Sequence, residues 1–340
     1  MSEKRPDREK IMEMSGGFMS ACVVGAAVEL DLFTILGDGA LSAESMAERL
    51  KADRRATGVL LDAVASLGLL EKRGGLYSVP PDLRPLLTEG SPETLLPGIR
   101  HRMNILRAWS QLAWVTKAGI PPPRPASIRG PAADRAAFVA AMHSYSGPLA
   151  DDLVARLGPP KFDHLLDVGG ASGTWTLAFL RAVPGAKATV FDLPDAIAQA
   201  RERIAGTEFA DRIELVGGDF YRDDLPGGAD FAWLSAIVHQ HSRAQNRRLF
   251  AKVHAALEPG GRIAVRDVVM EPCRTRPTMG ALFAINMLVN TESGGTFTFD
   301  ELAEDLRTAG FENPVLAVPS SDMNSIVTAI KCPATAQGVV

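Results

Sequence analysis

One stretch of this sequence decides the fold: Leu165-Leu-Asp-Val-Gly-Gly-Ala-Ser-Gly173. A short hydrophobic strand runs into a glycine-rich turn, and a helical pattern follows it. Gly169, Gly170 and Gly173 allow the backbone to turn tightly and to lie against a ligand where a Cβ atom would clash. In an open α/β sheet such a turn lies at the carboxyl end of the first strand, which is where ligands bind.

Outward from this stretch, strands alternate with helices along the second half of the chain. Two late apolar segments, Val315 to Val318 and Ile326 to Lys331, flank the polar turn Ser320 to Asn324 and predict an antiparallel edge hairpin. The alternation predicts an α/β fold, with a parallel sheet covered by helices on both faces. The other predicted strands are 165–168, 188–192, 212–217, 231–238 and 262–269, and the predicted helices between them include 175–182 and 196–204.

The segment before this alternation carries three short helical patterns and a hairpin, which together are typical of a winged helix. Ser42 and Asp53 are the predicted caps of two of the helices, and Gly74-Gly75 joins the two strands of the hairpin. Between residues 41 and 80, six basic residues stand against five acidic ones. Such a near-neutral surface cannot supply the phosphate contacts on which DNA affinity mostly depends. A packing or dimerisation module is therefore favoured over DNA binding.

The composition is that of a globular protein with no nucleic-acid or membrane partner. Hydrophobic residues make up 46% of the chain and charged residues 22%, and the formal net charge is −4. No uninterrupted apolar run reaches the ~18 residues of a transmembrane helix, and the polar start, Met1 to Glu13, is not a signal peptide. Cys22, Cys273 and Cys332 lie far apart, so neither a zinc site nor a disulfide framework is expected. A reducing cytoplasm is the simplest location.

The residues of the glycine turn indicate what kind of ligand it binds. A dinucleotide fingerprint fails, because Ala171 and Thr174 occupy its second and third glycine positions, and the Gly-Lys-Ser/Thr ending of a P-loop is absent. Asp167 directly precedes the glycines, and its negative charge would oppose a pyrophosphate. The same charge is compatible with a ligand that carries an ammonium and a sulfonium.

Two further acids end the next two predicted strands. Asp192 can accept hydrogen bonds from ribose hydroxyls, because an ionised carboxylate offers two acceptor oxygens. Asp219 can accept from an exocyclic amine while Phe220 stacks on the ring. Each aspartate alone could be a helix cap. Three strand-end acids beside a glycine turn favour a nucleoside-containing cofactor.

At these residues the chain resembles the small-molecule O-methyltransferases typified by the plant caffeate enzymes. The resemblance covers most of the chain and implies a Rossmann-like class I methyltransferase domain, with a mostly parallel seven-stranded sheet, behind an α-rich winged-helix dimerisation domain. The implied segments are residues 1–100 for dimerisation, 101–150 as a helical connector to the acceptor pocket, and 151–340 for the cofactor. The matching motifs are Leu166-Asp-Val-Gly-Gly-Ala-Ser-Gly-Thr174, Phe191-Asp-Leu-Pro194, Gly218-Asp-Phe220, Leu257-Glu-Pro-Gly-Gly261 and Ala309-Gly-Phe311.

The resemblance also implies a homodimer, a small-molecule methyl acceptor and the cofactor S-adenosylmethionine, lying against Gly169. Asp192 and Leu193 would bind the ribose, and Asp219 and Phe220 the adenine. Ser146 matches a serine that contacts the cofactor carboxylate. Ser235 falls where the family places a further polar contact, often a lysine. The predicted cofactor-binding residues are therefore Ser146, Asp167, Gly169, Gly170, Gly173, Asp192, Leu193, Asp219, Phe220 and Ser235.

Methyl transfer requires donor and acceptor in line and a base for the acceptor proton. His239 aligns with the family's base, and Asp267 with a carboxylate that orients it, although the family usually has Glu there. The family continues His-Asp-Trp, whereas this chain reads His239-Gln240-His241, so His241 is a lesser candidate for the base. A second supporting Glu aligns near Thr296, which cannot serve as an acid.

The acceptor pocket is predicted from two helical segments. Phe283 and Met287 are four residues apart and fit an ordinary core as well as a pocket, whereas Asn286 and Asn290 form a polar pair on one helix face. A carboxylate cluster is absent on this side, so no metal is expected and a magnesium-dependent catechol mechanism is disfavoured. The predicted acceptor residues are Met142, His143, Tyr145, Phe283, Asn286, Met287 and Asn290.

Two alternatives to O-methylation stay open on the sequence. The same fold can methylate carbon or nitrogen, or use the cofactor for chemistry other than methyl transfer, and the altered neighbourhood of His239 permits this. The chain could also be a winged-helix regulator that senses a nucleoside, but it lacks a basic helix or wing.

Overall fold

The computed structural model describes residues 5–158 and 161–333, which fall into two compact units. The first unit comprises Met1–Arg107 and Arg124–Ser144, and the second comprises Ala108–Pro123 and Tyr145–Val340. Two helices, α7 (Leu96–Trp109) and α9 (Pro131–Leu157), therefore contribute residues to both units. The outer bounds of the predicted segments 1–100 and 151–340, which are residues 1 and 340, lie outside the described residues.

The first unit is helical with one small sheet. Ser42 and Asp53 cap α4 and α5 as predicted, because their side chains accept hydrogen bonds from the backbone of Ser45 and Ala56. The predicted hairpin is also confirmed, and a third strand joins it in the order β1-β3-β2. The elements are α1 (Arg8–Gly16), α2 (Phe18–Glu29), α3 (Leu32–Leu36), β1 (Ala40–Ser42), α4 (Ala43–Leu50), α5 (Arg54–Ser66), β2 (Glu71–Arg73), β3 (Leu76–Ser78) and α6 (Arg84–Leu87).

Helices α1 and α2 carry an exposed apolar surface. By length and composition alone, the stretch Arg8–Glu29 could cross a membrane, and only 17% of its most apolar window is buried. Because Glu13 interrupts it, the stretch Arg8–Glu29 is not an uninterrupted apolar run. The large exposed apolar side chains of these two helices are Ile11, Met12, Met14, Phe18 and Met19.

The second unit is built on a seven-stranded sheet in the order β11-β12-β8-β7-β4-β5-β6. The five strands from β8 to β6 are parallel, and β11 and β12 form the predicted antiparallel hairpin at one edge. The α/β prediction is thus confirmed. The strands are β4 (His164–Val168), β5 (Lys187–Asp192), β6 (Ile213–Gly217), β7 (Ala229–Ser235), β8 (Leu257–Asp267), β11 (Phe311–Val318) and β12 (Ser325–Lys331), with a separate pair β9 (Val269–Met270) and β10 (Phe297–Thr298).

Helices cover both faces of this sheet and bury two apolar clusters. One cluster includes Leu166, Leu234 and Val265 with helices α12 (Arg243–Ala256) and α14 (Phe299–Thr308). The other includes Trp233 and Ala264 with α9 and α10 (Thr174–Ala182). Successive strand residues alternate between the two faces, as a pleated strand requires. The remaining helices are α8 (Leu112–Ala118), α10 (Thr174–Ala182), α11 (Pro194–Ile204), α12 (Arg243–Ala256), α13 (Thr278–Asn290) and α14 (Phe299–Thr308).

One strand differs from its prediction in a way that matters for the site. The fourth parallel strand was predicted to run to Val238, but β7 ends at Ser235, where Ala236 takes a left-handed φ of 58°. Val238 is buried and begins a short 3₁₀ turn, so its apolar side chain packs in the core without belonging to a strand. His239 therefore lies in this turn and not on the strand itself.

The register of the strands aligns the carboxyl ends of four of them. Val168 of β4 pairs with Phe191 of β5 and with Leu234 of β7. Asp192 of β5 pairs with Gly217 of β6. The loops that follow β4, β5, β6 and β7 consequently emerge side by side at one edge, as expected for a ligand site in a parallel sheet.

Candidate active site

The glycine turn after β4 has no room for side chains. Gly169 has a φ of +71°, and a Cβ atom there would lie 2.4 Å from Ile237 Cδ1. A Cβ on Gly170 would lie 2.8 Å from Asp167 Cγ. Gly169 N–H donates to the carbonyl of Phe191 at 2.8 Å, which ties the turn to the end of β5. The turn thus brings bare backbone to the carboxyl edge of the sheet.

Asp167 lies beneath this turn and is buried. Its Oδ2 accepts a hydrogen bond from Thr176 Oγ1 at 2.6 Å, and its buried Oδ1 has no hydrogen-bond partner among the described residues. Burial raises the pKa of Asp167 to about 7, an effect opposed by Thr176 and reinforced by the charge of Asp192. A buried carboxylate oxygen without a partner is the feature that a cationic ligand group would satisfy, so the turn fits a ligand that carries positive charge.

Asp192 meets the glycine turn directly, as the sequence predicted. Its Oδ2 accepts from Ala171 N–H and its Oδ1 from Leu193 N–H, both at 2.7 Å. Burial raises the pKa of Asp192, although these two backbone hydrogen bonds oppose the effect. The carboxylate is held in place and keeps further acceptor positions for hydroxyl groups. The side chain of Leu193 is exposed.

The loop after β6 carries the third aspartate. Asp219 accepts from the backbone of Tyr221 at 2.9 Å, so it stabilises its own turn. Phe220 is partly buried against the core, and its ring centroid lies 5.6 Å from that of His241. The Tyr221 hydroxyl hydrogen-bonds to His241 Nδ1. The three strand-end acids are therefore brought to one edge, and a histidine packs beside the aromatic residue of the third.

His239 and Asp267 form a buried pair. His239 is 6% exposed and Asp267 is 1% exposed. His239 Nδ1 lies 2.9 Å from each carboxylate oxygen of Asp267, so the ring donates its Nδ1 proton to the acid. The His239 carbonyl accepts from Gly295 N–H at 2.8 Å. Because Nδ1 is committed to Asp267, Nε2 is the basic nitrogen, and it has no hydrogen-bond partner within residues 5–158 and 161–333.

His241 has a different environment. Burial, together with the charge of the nearby His239, lowers the pKa of His241 to about 4, while Asp267 opposes the effect. Its Nδ1 is hydrogen-bonded to Tyr221. A histidine with so low a pKa is a weak base near neutral pH. The environment of His241 therefore makes it a poorer candidate for the general base than His239.

Ser235 ends β7 at the position of the predicted polar cofactor contact, but its hydroxyl already has a partner. Arg266 Nη1 donates to Ser235 Oγ at 3.0 Å. Sequence reasoning missed Arg266, and the available signal was a charged residue inside the apolar run of a central strand.

Helix α13 places Phe283 against His239, and it places Asn286 beside Asn290 and Trp109. The ring of Phe283 packs edge-to-face on His239, with centroids 4.8 Å apart. Asn286 Oδ1 accepts from Asn290 Nδ2 at 3.0 Å and from Trp109 Nε1 at 2.9 Å. Met287 is buried. Asn286 and Asn290 are thus paired as predicted, and Trp109 is a third member that the sequence did not reveal.

The remaining predicted residues lie on α9. Met142 and His143 belong to the first unit, and both are partly buried. Tyr145 and Ser146 begin the second unit's part of the helix, where Tyr145 is exposed and Ser146 is partly buried. The roles of these four residues stay predictions.

The described part of the chain has no cluster of side chains suited to bind a metal ion. Within residues 5–158 and 161–333, no group of three or more His, Cys, Asp or Glu side chains converges to hold a metal ion. The three cysteines are free and exposed.

Comparison with known proteins identifies the family. The chain matches the O-methyltransferase domain family over residues 105–312 and the O-methyltransferase dimerisation domain over residues 12–81. It is 31% identical to the tetracenomycin polyketide synthesis 8-O-methyl transferase TcmO of Streptomyces glaucescens, over 88% of this chain and 90% of that protein. It is 30% identical to the 3-hydroxy-5-methyl-1-naphthoate 3-O-methyltransferase of Streptomyces sahachiroi, over 94% of each.

Comparison of the folds agrees. The solved structure of PigF with S-adenosylhomocysteine (SAH) superposes with a TM-score of 0.83 and 25% identity, covering 96% of this chain and 100% of PigF. Both the family match and the relatives extend over most of the chain, and the fold and the carboxyl-edge site agree with them. The chain therefore belongs to the S-adenosylmethionine-dependent O-methyltransferase family.

Proposed function

We propose that this enzyme methylates a hydroxyl group of a small aromatic or polyketide-like molecule, with His239 as the general base and Asp267 as the residue that orients it. The observation that carries the proposal is the buried His239–Asp267 pair, in which Nδ1 lies 2.9 Å from the carboxylate and Nε2 has no hydrogen-bond partner among the described residues. A carboxylate on one ring nitrogen fixes the tautomer and stabilises the imidazolium that forms when the other takes a proton.

The donor S-adenosylmethionine supplies a methyl group already bonded to a good leaving group, so the protein has little covalent chemistry to perform. In this proposal His239 Nε2 would accept the hydroxyl proton as the acceptor oxygen takes the methyl group and the sulfur–carbon bond of the donor breaks, with SAH as the leaving group. Asp267 would stabilise the resulting imidazolium. Phe283 would border the acceptor because its ring packs on His239. Asn286, held by Trp109 and Asn290, would offer polar groups to the acceptor. Met142, His143, Tyr145 and Met287 remain predicted acceptor residues.

The proposed cofactor site is the carboxyl edge of the sheet. Asp167 would meet the ammonium of the methionine part, because its Oδ1 is buried and unsatisfied in the described structure. Asp192 would accept from the ribose, and Phe220 would stack on the adenine. The proposed cofactor contacts are Ser146, Asp167, Gly169, Gly170, Gly173, Asp192, Leu193, Asp219, Phe220 and Ser235.

The acceptor class follows from the relatives. The two relatives described above are named for O-methylation, one in tetracenomycin polyketide synthesis and the other of 3-hydroxy-5-methyl-1-naphthoate. A phenol or enol is also a hydroxyl acidic enough for a histidine to deprotonate during attack. Phenolic polyketides, naphthoates and, as a test of specificity, aromatic amines therefore form the acceptor panel.

The test combines this panel with a variant of the base. His239→Ala should lower the rate of labelled methyl transfer by ~100-fold or more while leaving SAH affinity within about threefold. His164→Gln is the matched control, since His164 lies at the amino end of β4, away from the site. A His239→Ala enzyme with unimpaired turnover would exclude His239 as the base. Transfer to amines but to no hydroxyl would contradict the acceptor proposal.

We also propose that the chain is a cytoplasmic homodimer. Residues 1–100 would form a winged-helix dimerisation domain, 101–150 a connector and 151–340 the cofactor domain. Support comes from the match to a dimerisation domain over residues 12–81 and from the exposed apolar side chains of α1 and α2 in that region. An apolar surface of this kind is stabilised by burial against a second copy.

The dimer proposal is tested by light scattering of a variant with charges on this surface. The double variant Met14→Glu, Met19→Glu should be a monomer. Ile128→Glu, at an exposed apolar residue outside the range 12–81 that matches the dimerisation domain, should stay a dimer. Flotation of the wild type with lipid vesicles is the companion measurement. A monomeric wild type that floats with vesicles would contradict the proposal and favour a membrane role for Arg8–Glu29.

A further inference from the structure

Arg266 is a buried cation at the carboxyl end of β8. It is 6% exposed and is the residue before Asp267. Its Nη1 donates to Ser235 Oγ at 3.0 Å, and its Nε and Nη2 donate to Asn324 Oδ1 at 3.0 and 2.6 Å. Its guanidinium carbon lies 4.7 Å from the centre of the Trp175 ring. All three partners are neutral.

The described structure gives this cation no paired anion. No ion pair of Arg266 with a carboxylate within 4 Å is found in residues 5–158 and 161–333, although the charges of Asp267 and Asp322 lie near enough to act on it. Asp267 is committed to His239, and Asp322 accepts hydrogen bonds within its own turn, from Ser320 and Asn324. Burial lowers the pKa of Arg266 to about 10, so the side chain is still protonated at neutral pH.

A buried charge without a counter-charge costs free energy, and a bound anion would offset that cost. A guanidinium has five N–H donors, and the three bonds described above use one on each nitrogen. One N–H on Nη1 and one on Nη2 have no partner in the described residues, and a carboxylate can accept hydrogen bonds from two guanidinium donors. Arg266 is therefore suited to bind a carboxylate.

The position of Arg266 relates it to the glycine turn. Ser235 pairs with Arg266 between β7 and β8, and it lies one residue beyond Leu234, which pairs with Val168. Ser235 and Arg266 thus stand at the level of Gly169. Trp175 is the second residue of α10, the helix that begins directly after the glycine turn. The guanidinium consequently lies on the α10 side of the sheet, which is also the side to which Asp167 projects towards Thr176.

We infer that Arg266 binds the carboxylate of the methionine part of the cofactor, and that it supplies from β8 the positive charge that Ser235 on β7 lacks. This inference rests on the proposed placement of S-adenosylmethionine at the glycine turn. Arg266 and Asp167 then give that edge of the sheet two opposite charges for a ligand part that is itself a zwitterion. Arg266 is a binding residue, and methyl transfer itself requires nothing of it.

The test compares two ligands by calorimetry, SAH and its decarboxylated analogue, which keeps the adenosine, the thioether and the ammonium but lacks the carboxylate. Arg266→Gln should weaken SAH binding about 10- to 100-fold, the range of charge-assisted hydrogen bonds, while leaving the analogue within about threefold. Arg262→Gln, an exposed arginine on the same strand, is the control and should change neither affinity. Arg266→Met is the second variant, because an apolar side chain of similar length removes the buried charge with little risk to folding.

A cation returned on the neighbouring strand should rescue binding. Ser235→Lys combined with Arg266→Gln is expected to restore most of the preference for SAH over the analogue. If the Gln and Met variants weaken both ligands equally, Arg266 only braces the Ser320–Asn324 turn and the inference is overturned. Unchanged SAH affinity in either variant would overturn it as well. A wild type that binds neither ligand would instead contradict the proposed cofactor site, so the two failures are distinguishable.

Discussion

Replacing Asp267 with Asn tests how the protein prepares its base, because the change keeps the shape of the side chain and removes its charge. In the wild type, Oδ1 accepts from Val268 N–H at 2.8 Å and Oδ2 from His239 N–H at 3.3 Å. The single oxygen of Asn should take the shorter of these bonds, from Val268. Its NH₂ group would then face His239 Nδ1 and donate to it. The ring proton would move to Nε2, the atom that has to accept the acceptor's proton.

The magnitude follows from what is lost. Restoring the productive tautomer would break a hydrogen bond and leave polar groups buried without partners, at about 1–3 kcal/mol. The carboxylate's stabilisation of the imidazolium is lost as well, which adds about 1.5–3 kcal/mol for a charge-assisted bond. At about 1.4 kcal/mol per tenfold in rate, kcat for Asp267→Asn should fall roughly 10²- to 10⁴-fold.

The assay is single-turnover transfer of a labelled methyl group to the acceptor found in the panel, with SAH affinity measured on the same preparation. SAH binding should change by no more than about threefold, since the hydrogen bonds of Asp267 within the described residues go to His239 and Val268. Asp300→Asn, at an exposed position in the first turn of α14, is the control and should keep full activity. A kcat of Asp267→Asn within threefold of wild type would refute the role given to this pair.

Three further outcomes are expected. Burial raises the pKa of Asp167 to about 7, so the native state binds a proton that the unfolded chain releases near pH 4, and stability should fall as the pH rises from 4 to 7. At pH 8 the Asp167→Asn variant should therefore be more stable than the wild type, by up to about 4 kcal/mol of unfolding free energy. The same variant should bind SAH more weakly. An Asp167→Asn protein that melts lower at pH 8 would contradict this. Because the pKa of His241 is about 4, His241→Gln should leave the shape of the kcat profile unchanged between pH 6 and 9, and loss of its acidic limb would instead identify His241 as the base. Gly170→Ala should destabilise the protein by about 1–3 kcal/mol in chemical denaturation, because its Cβ would lie 2.8 Å from both Asp167 Cγ and Val190 Cγ1; an unchanged midpoint would show that the turn has room.

Local sequence patterns predicted which strand ends meet at the carboxyl edge of the sheet. Asp192 could be placed beside the glycine turn from strand alternation alone, because neighbouring parallel strands end at one edge, and Asp192 does bond Ala171 of that turn. The end of β7 was predicted too late, since the apolar residues Ile237 and Val238 continue the strand pattern. They pack in the core after the chain has turned at Ala236. Periodicity does not distinguish apolar side chains of a strand from apolar side chains of a buried turn.

Contacts between distant segments were beyond the reach of local patterns. Trp109 and Asn286 are 177 residues apart and are joined only by the packing of the second unit. The hydrogen bond from Arg266 to Ser235 depends on the register between β7 and β8, which tertiary structure sets. Both residues that the sequence missed, Trp109 and Arg266, act through partners on other elements.

The most direct test of the account is the crystal structure of the enzyme with SAH bound. Density for the ligand is expected along the carboxyl edge of the sheet, with the thioether beside Gly169, the ribose at Asp192 and the adenine against Phe220. Ligand density elsewhere, or a Gly169 turn closed by protein side chains when SAH is bound, would contradict the central claim that this edge holds the methyl donor.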